Sequence, residues 1–218
     1  MIDVTMQTRL RFEKACRLFI SKYDSVLPSF SNTTFRGWCW NEYNDLPSFG
    51  YMSRSTALTV RLSTRASVVD DAEQIIDEAV DEASLRSPGT QTFACRQYVV
   101  YSATFQVPCL YFTISHSNGT PLSADELVHT SLFHSATLDS TTTTSFAVTH
   151  PSSLFPLLSQ GDHPSLGTPC WYLHPCETVK SMQEVLAEDK TEMSKEERLV
   201  RWLEVWFLVI GNMVDLRV

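Results

Sequence analysis

The 218-residue sequence predicts a mixed helix-and-strand domain in which a helix comes first, strands follow and helices close the chain. Two patterns support this prediction. Apolar residues recur every three or four positions near both ends of the chain. The middle instead contains runs rich in Val, Tyr, Phe and Ile, separated by turn residues. A chain of this length can bury one sizeable core, so a single domain over residues 1–218 is expected.

The first helix and the first two strands are predicted in residues 10–63. Residues 10–23 carry an amphipathic helical pattern, and the apolar face of this helix should cover a sheet. Residues 35–43 are aromatic and alternate, as a half-buried strand does. Residues 44–47, Asn-Asp-Leu-Pro, are typical of a turn. A second strand is predicted from residue 50 to residue 63, because its apolar residues again alternate.

Two neighbouring antiparallel strands are predicted at residues 93–105 and 109–115, with Pro108 between them. An exposed edge of this pair would be a natural place for a partner chain to add a strand. Asn118 and Gly119 form a turn, and residues 123–126 match a capping box that opens a short helix.

Three segments are predicted to lie outside the regular elements. Residues 69–88 are acidic and are expected to form an insertion, more typical of a solvated helical face than of a binding element. Residues 135–145 are rich in Thr and low in complexity, so a surface loop is expected. Residues 151–169 are rich in Pro and Gly and are also expected to be a loop. Helices are then predicted at residues 179–187 and 199–213.

Composition excludes several classes of function. The formal charge is −8 and the chain has no long basic cluster, which argues against nucleic acid as a partner. The apolar segment 199–213 is too short to span a membrane. Residues 1–26 carry charges throughout, unlike a signal peptide, so a cytoplasmic protein with reduced cysteines is expected. No metal-binding spacing, phosphate-binding loop or dinucleotide fingerprint is present in the sequence.

The tripeptide His174-Pro175-Cys176 is the most informative motif because it places a thiol and an imidazole on either side of a rigid residue. Proline biases the residue before it toward extended backbone. His174 is therefore expected to end a strand, and Cys176 is expected to open a surface turn with its sulfur accessible. The alternative is that Cys176 is a small buried hydrophobic residue.

Several segments carry a pattern that is specific in combination, Val-Pro-x-Leu-Tyr-Phe followed later by His-Pro-Cys. These segments are Gly37-Trp-Cys-Trp40, Gly50-Tyr-Met52, Tyr98-Val-Val-Tyr-Ser102, Gln106-Val-Pro-Cys-Leu-Tyr-Phe112, Asn118-Gly-Thr-Pro-Leu122, His163-Pro164, Trp171-Tyr-Leu-His-Pro-Cys176 and residues 202–216. Together they resemble the autophagy-related protein 10 family, ubiquitin-conjugating-type enzymes that join a ubiquitin-like protein to its acceptor. The autophagy-related protein 3 family has a His-Pro-Cys of its own, but residues 106–112 fit the autophagy-related protein 10 family better.

This resemblance implies an α/β fold of the α+β type, with an antiparallel sheet backed by helices and extra strands, as in ubiquitin-conjugating enzymes. It also implies a reaction that needs no metal or organic cofactor. Autophagy-related protein 7 would transfer autophagy-related protein 12 to Cys176 as a thioester. A lysine of autophagy-related protein 5 would then attack that thioester. A thiol suits both acyl transfers because it is a good nucleophile and a good leaving group.

One departure from ordinary ubiquitin-conjugating enzymes concerns the group that stabilises the oxyanion. Those enzymes carry His-Pro-Asn several residues before the cysteine, whereas here the cysteine follows His-Pro directly. His174 is the best candidate for the missing donor, and Asn118 and Tyr101 are weaker ones. Each has an alternative role, since His174 can cap the turn, Asn118 can be a turn residue and Tyr101 can belong to the core.

Three other functions remain open from the sequence. The chain could belong to the lipid-attachment branch, as autophagy-related protein 3 does. It could be a non-enzymatic adaptor with the same fold, in which Cys176 is only buried. A papain-like hydrolase is the third possibility, but the local signature is missing and no histidine follows His174.

Overall fold

The computed structural model describes residues 8–24, 35–43, 46–61, 90–138 and 140–217. The acidic insertion predicted at residues 69–88 and the turn residues 44–45 lie outside these ranges. Within them the chain forms α1 (Arg9–Asp24), β1 (Cys39–Tyr43), β2 (Leu46–Arg61), β3 (Thr90–Ser102), β4 (Val107–Ser115), α2 (Ala124–Leu127), α3 (Ser135–Leu138), β5 (Thr142–Thr143), β6 (Ala147–Thr149), β7 (Leu158–Asp162), β8 (Pro169–Leu173), α4 (Cys176–Glu188) and α5 (Lys195–Ile210).

The strands form one antiparallel sheet in the order β1-β2-β3-β4-β8-β7-β6-β5. β3 and β4 therefore lie inside the sheet, with β2 beside β3 and with β8 beside β4, where Tyr111 and Phe112 pair with β8. The expectation that this pair offers an exposed edge is wrong, because β2 pairs with one side and β8 with the other. The outer strands of the described sheet are β1 and β5.

The helices lie on one face of the sheet. α1 contacts β1 and β2 and packs on α5, which in turn contacts α4. Phe19 of α1 stacks on Phe207 of α5, with ring centroids 5.1 Å apart. Along β4, Leu110 and Phe112 face this helical layer and are buried. The predicted α+β class is confirmed, and the arrangement agrees with the ubiquitin-conjugating-enzyme-like fold that the resemblance implies.

The other face of the sheet carries a smaller cluster made of Tyr51, Tyr98, Val100 and Cys170. These residues alternate along β2, β3 and β8 with those of the main core, as strand geometry requires. His163 covers the cluster from the turn after β7, and its ring lies 4.7 Å from that of Tyr51. The loop around residue 163 therefore closes part of this second face.

The two segments predicted as loops contain short regular elements. The Thr-rich segment 135–145 holds α3 and the two-residue strand β5, which pairs with β6. β-branched Thr favours such an extended edge. The segment 151–169 contains all of β7, so the prediction of a continuous loop there is wrong. Its sequence, Leu-Ser-Gln-Gly-Asp, lacks apolar alternation, and backbone pairing with β8 forms the strand instead.

Arg54 is a buried cation on β2 that links the sheet to the segment before β1 and to the segment after α5. Its guanidinium donates to the Gln97 side chain at 2.7 Å, to the Leu216 carbonyl at 2.6 Å and to the Arg36 carbonyl at 3.2 Å. It also lies 4.5 Å from the ring centroid of Trp38. Burial lowers the pKa of Arg54 to about 10.

Replacement of Arg54 by alanine is expected to destabilise the fold by about 3 kcal/mol, because three acceptors lose their donor and a cavity remains. Urea unfolding followed by circular dichroism measures this change. Exposed Arg11 of α1 is the matched control, and Arg11→Ala should shift stability by less than about 0.5 kcal/mol. Equal changes in the free energy of unfolding for Arg54→Ala and Arg11→Ala would contradict this structural role of Arg54.

Candidate active site

The motif His174-Pro175-Cys176 lies where β8 ends and α4 begins. Pro175 is the N-cap residue of α4, and Cys176 is the first residue of the helix. The expectation that Cys176 opens a turn is therefore wrong. Proline's fixed φ suits the start of a helix, and buried Thr178 and Met182 hold the following turns against the core. The thiol of Cys176 remains partly exposed.

The reactivity of Cys176 depends on two opposing influences. Burial raises the pKa of the Cys176 thiol, and the neighbouring carboxylate of Glu177 raises it further. Backbone amides at the start of α4 act in the opposite direction. Helix N-termini favour anions for this reason. The Cys176 thiolate is therefore a minor species at neutral pH. The backbone amides at the start of α4 stabilise the fraction that does ionise.

His174 contacts the backbone of Cys176 directly. Its Nδ1 atom accepts the Cys176 N–H at 3.4 Å, and its backbone N–H donates to the Leu157 carbonyl at 3.0 Å. Burial lowers the pKa of the imidazole, so His174 is neutral near pH 7. Because Nδ1 accepts a hydrogen bond, the single proton of the neutral ring belongs on Nε2. The imidazole therefore offers a donor and not a free lone pair.

Three aromatic rings surround the imidazole of His174. Phe155 stacks on it with centroids 5.4 Å apart and planes 8° from parallel. Phe105, from the β3–β4 turn, meets it edge-on at 5.5 Å, and Tyr172 lies 6.4 Å away. No sequence pattern connects Phe105 or Phe155 with His174, since each lies many positions away along the chain.

Tyr101 lies on β3 and its ring faces the helices. It packs 5.6 Å from Phe12 and 5.5 Å from the guanidinium of Arg9, both on α1. Burial raises the pKa of its phenol. β4 separates β3 from β8, so the two backbones are about 10 Å apart. This placement gives Tyr101 a role in core packing.

The structure does not bring Asn118 to Cys176. β4 runs antiparallel to β8, with Tyr111 opposite Tyr172, so Ser115 lies about 17 Å along the sheet from the level of Leu173. Asn118 follows Ser115, in the turn at that far end. Its side chain accepts the Thr120 N–H at 2.9 Å and so stabilises its own turn. The turn role, and not oxyanion binding, agrees with this position.

The remaining cysteines near the motif are buried. Cys170 is 2% exposed and packs with Tyr51 and Tyr98 on the second face of the sheet. Cys109 donates through its sulfur to the Leu173 carbonyl at 3.1 Å. No cluster of three potential metal ligands occurs among the described residues. In the same ranges, no helix is both long and apolar enough to cross a membrane.

Residues 11–217 match a protein family described as "Autophagocytosis associated protein, active-site domain". The chain belongs to this family. The matched region includes the eight-stranded sheet, the helices that cover it and Cys176. The family assignment thus covers the candidate site and the fold that positions it.

Three curated proteins similar to this chain carry the name "Ubiquitin-like-conjugating enzyme ATG10". The protein of Dictyostelium discoideum is 33% identical over 129 residues, which are 55% of this chain and 50% of that protein. The Homo sapiens protein is 24% identical over 218 residues, covering 94% of this chain and 87% of its own length. The Arabidopsis thaliana protein is 31% identical over 121 residues, which are 56% of this chain and 48% of that protein. The match thus spans about half the length of the Dictyostelium and Arabidopsis relatives. The predicted resemblance to the autophagy-related protein 10 family is confirmed.

The charge of Glu177 provides a test of thiol reactivity in this family member. Glu177→Gln removes an anion beside the thiolate, so the pKa of Cys176 should fall toward its ordinary value of about 8.5. At pH 7.5 alkylation by iodoacetamide should then accelerate roughly twofold, the size expected for an exposed charge. Mass spectrometry of the Cys176 peptide measures this rate separately from the other cysteines.

Glu184→Gln is the matched control for this measurement. Glu184 is an exposed residue on the same helix, about 12 Å along the axis from Cys176, so its charge is largely screened. Its removal should leave the alkylation rate unchanged. A slower reaction in Glu177→Gln would show that the carboxylate assists the thiolate, which is opposite to the expected effect of its charge.

Proposed function

We propose that this protein is a ubiquitin-like-conjugating enzyme whose Cys176 carries a ubiquitin-like protein as a thioester. One observation carries the proposal: a partly exposed thiol at the first turn of α4, beside the ring of His174, in a chain of the autophagocytosis-associated family. The names of the relatives support the same activity. The reaction requires an accessible sulfur, and Cys176 meets that requirement while Cys170 does not.

Two acyl transfers make up the proposed reaction. In the first, the Cys176 thiolate attacks the carbonyl carbon of a thioester on the activating enzyme, whose own cysteine leaves as a thiolate. In the second, an acceptor amine attacks the Cys176 thioester, loses a proton and displaces the Cys176 thiolate, leaving an amide bond. Each step passes through a tetrahedral oxyanion, which a preorganised hydrogen-bond donor stabilises.

His174 is proposed to supply that donor through Nε2–H. The hydrogen bond from the Cys176 amide to Nδ1 supports this role over that of a general base, because the ring's lone pair is already engaged. The lowered pKa of His174 also favours the neutral donor form. Tyr101 and Asn118 are not proposed to act on the oxyanion, since one packs against α1 and the other lies at the far end of β4.

The proposed partners follow from the family and not from a contact on the surface. Autophagy-related protein 7 is proposed as the activating enzyme, autophagy-related protein 12 as the ubiquitin-like protein and autophagy-related protein 5 as the acceptor. The proposed site of action is the cytoplasm. The alternative is a conjugating enzyme of the lipid-attachment branch, the autophagy-related protein 3 type, in which an amine of a lipid would attack the thioester.

A band-shift experiment tests this function. The purified chain is mixed with the activating enzyme, ATP and autophagy-related protein 12, and the products are separated with and without reducing agent. An adduct that reducing agent removes supports the thioester. Absence of any adduct would contradict the proposed function and favour the non-enzymatic adaptor. Adding autophagy-related protein 5, or vesicles containing phosphatidylethanolamine, then shows which amine consumes the adduct.

A further inference from the structure

Phe155 is a large apolar side chain at the surface beside the candidate site. It is 49% exposed, although its ring lies flat on the imidazole of His174. The two planes differ by 8° and their centroids are 5.4 Å apart, which is an offset-stacked contact between the phenyl ring and the imidazole. The nearly parallel ring planes identify a specific aromatic contact between Phe155 and His174.

Local hydrogen bonds hold Phe155 in this position. The Ser153 hydroxyl donates to the Phe155 carbonyl at 2.8 Å and accepts the Phe155 N–H at 3.3 Å. Two residues later the Leu157 N–H donates to the Val148 carbonyl at 2.8 Å. The Leu157 carbonyl accepts the backbone N–H of His174 at 3.0 Å. The loop is thus tied to β6 on one side and to His174 itself on the other.

The imidazole needs such support because its last side-chain torsion has a broad energy minimum. The hydrogen bond from the Cys176 N–H to Nδ1 is long, at 3.4 Å, and does not by itself fix the ring. Phe155 stacks against one face, while Phe105 meets the ring edge-on. Tilting of the imidazole out of its plane would break the stacked contact, so the contact fixes the ring plane. Within that plane, the hydrogen bond from the Cys176 N–H to Nδ1 distinguishes the two orientations related by a 180° flip.

We propose that Phe155 is a positioning residue that holds the His174 imidazole with Nδ1 toward the Cys176 amide and Nε2–H free to donate. Phe155 does not touch the reacting atoms and acts through His174. This inference rests on the proposed function for its kinetic consequence, but the ring orientation and tautomer are properties of the free protein. They are measurable without any partner.

The first arm of the test is spectroscopic. Long-range ¹H–¹⁵N spectra of the protein labelled at histidine report which ring nitrogen carries the proton. The wild type should show His174 as the Nε2–H tautomer. Phe155→Ala should shift His174 toward a mixture of tautomers, and Phe155→Tyr, which keeps the ring, should restore the wild-type signature. An unchanged His174 tautomer in Phe155→Ala would overturn the proposal.

The second arm is kinetic and separates the two chemical steps. Phe155→Ala should slow transfer from the Cys176 thioester to the acceptor roughly tenfold, since misplacing a catalytic group has effects of this order or larger. Thioester formation should change less than twofold. Phe155→Tyr should recover the transfer rate. In a His174→Ala background, Phe155→Ala should cause no further loss, because its effect passes through the imidazole.

Leu154→Ala is the matched control, because Leu154 is the adjacent residue and is 95% exposed. It should change neither the tautomer nor the transfer rate. A tenfold loss in Leu154→Ala, or an additive loss in the His174→Ala background, would mean that the loop binds a partner and would overturn the positioning role. Failure of the proposed function has a different signature: no adduct would form on wild-type Cys176, and the spectroscopic arm would still decide the orientation of His174.

Discussion

Cys176→Ser is expected to replace a short-lived adduct that reducing agents remove with a longer-lived one that resists them. The reason is the leaving group, since an alkoxide leaves an ester far less readily than a thiolate leaves a thioester. Cys176→Ala should form no adduct, because no nucleophile remains at the start of α4. Gel electrophoresis with and without reducing agent, at a series of times after ATP addition, distinguishes the three proteins.

Cys170→Ser is the matched control for the nucleophile. Cys170 lies six residues before Cys176, but it is 2% exposed and packs on the face of the sheet away from the helices. Its replacement should preserve the reducible adduct. A reducible adduct of wild-type yield on Cys176→Ala would assign the nucleophile elsewhere, and loss of that adduct in a double replacement of both cysteines would identify Cys170.

Much of the fold could be predicted because its signals are local. Ser123 and Glu126 form the expected capping box at the start of α2, with both reciprocal hydrogen bonds present. The alternating strands β3 and β4 lie within a few residues of their predicted bounds. β7 could not be predicted, because its strand conformation comes from pairing with β8 and not from its own residues. Strand order, which buries the edges of β3 and β4, is likewise a property of the whole sheet.

The candidate site shows the same division between local and distant information. His174 and Cys176 contact each other because one residue separates them, so their spacing alone indicated the pair. Whether Asn118 and Tyr101 lie near Cys176 depends on how β3, β4 and β8 are arranged, and this arrangement could not be predicted from the sequence. Phe155 was missed for the same reason. Its only signal was an apolar residue in a segment otherwise predicted to be a solvent-exposed loop.

His174→Ala is expected to slow transfer to the acceptor roughly 10²-fold, the usual size of a lost oxyanion donor. Thioester formation should suffer less, because a cysteine is a competent nucleophile even when only a small fraction is ionised. Single-turnover decay of the preformed thioester in the presence of acceptor measures the first effect. The rate at which the adduct forms on Cys176 in the presence of the activating enzyme and ATP measures the effect on thioester formation.

His174→Asn distinguishes the two chemical roles that an imidazole could have at this position. An amide can donate to the oxyanion but cannot take up the acceptor's proton. Because Nδ1 already accepts the Cys176 N–H, we expect the donor role, and His174→Asn should recover much of the transfer rate. Slow transfer in both His174→Ala and His174→Asn would favour the general-base role of His174 instead. Wild-type transfer in both, with only a lower melting temperature, would reduce His174 to a residue that caps the junction between β8 and α4.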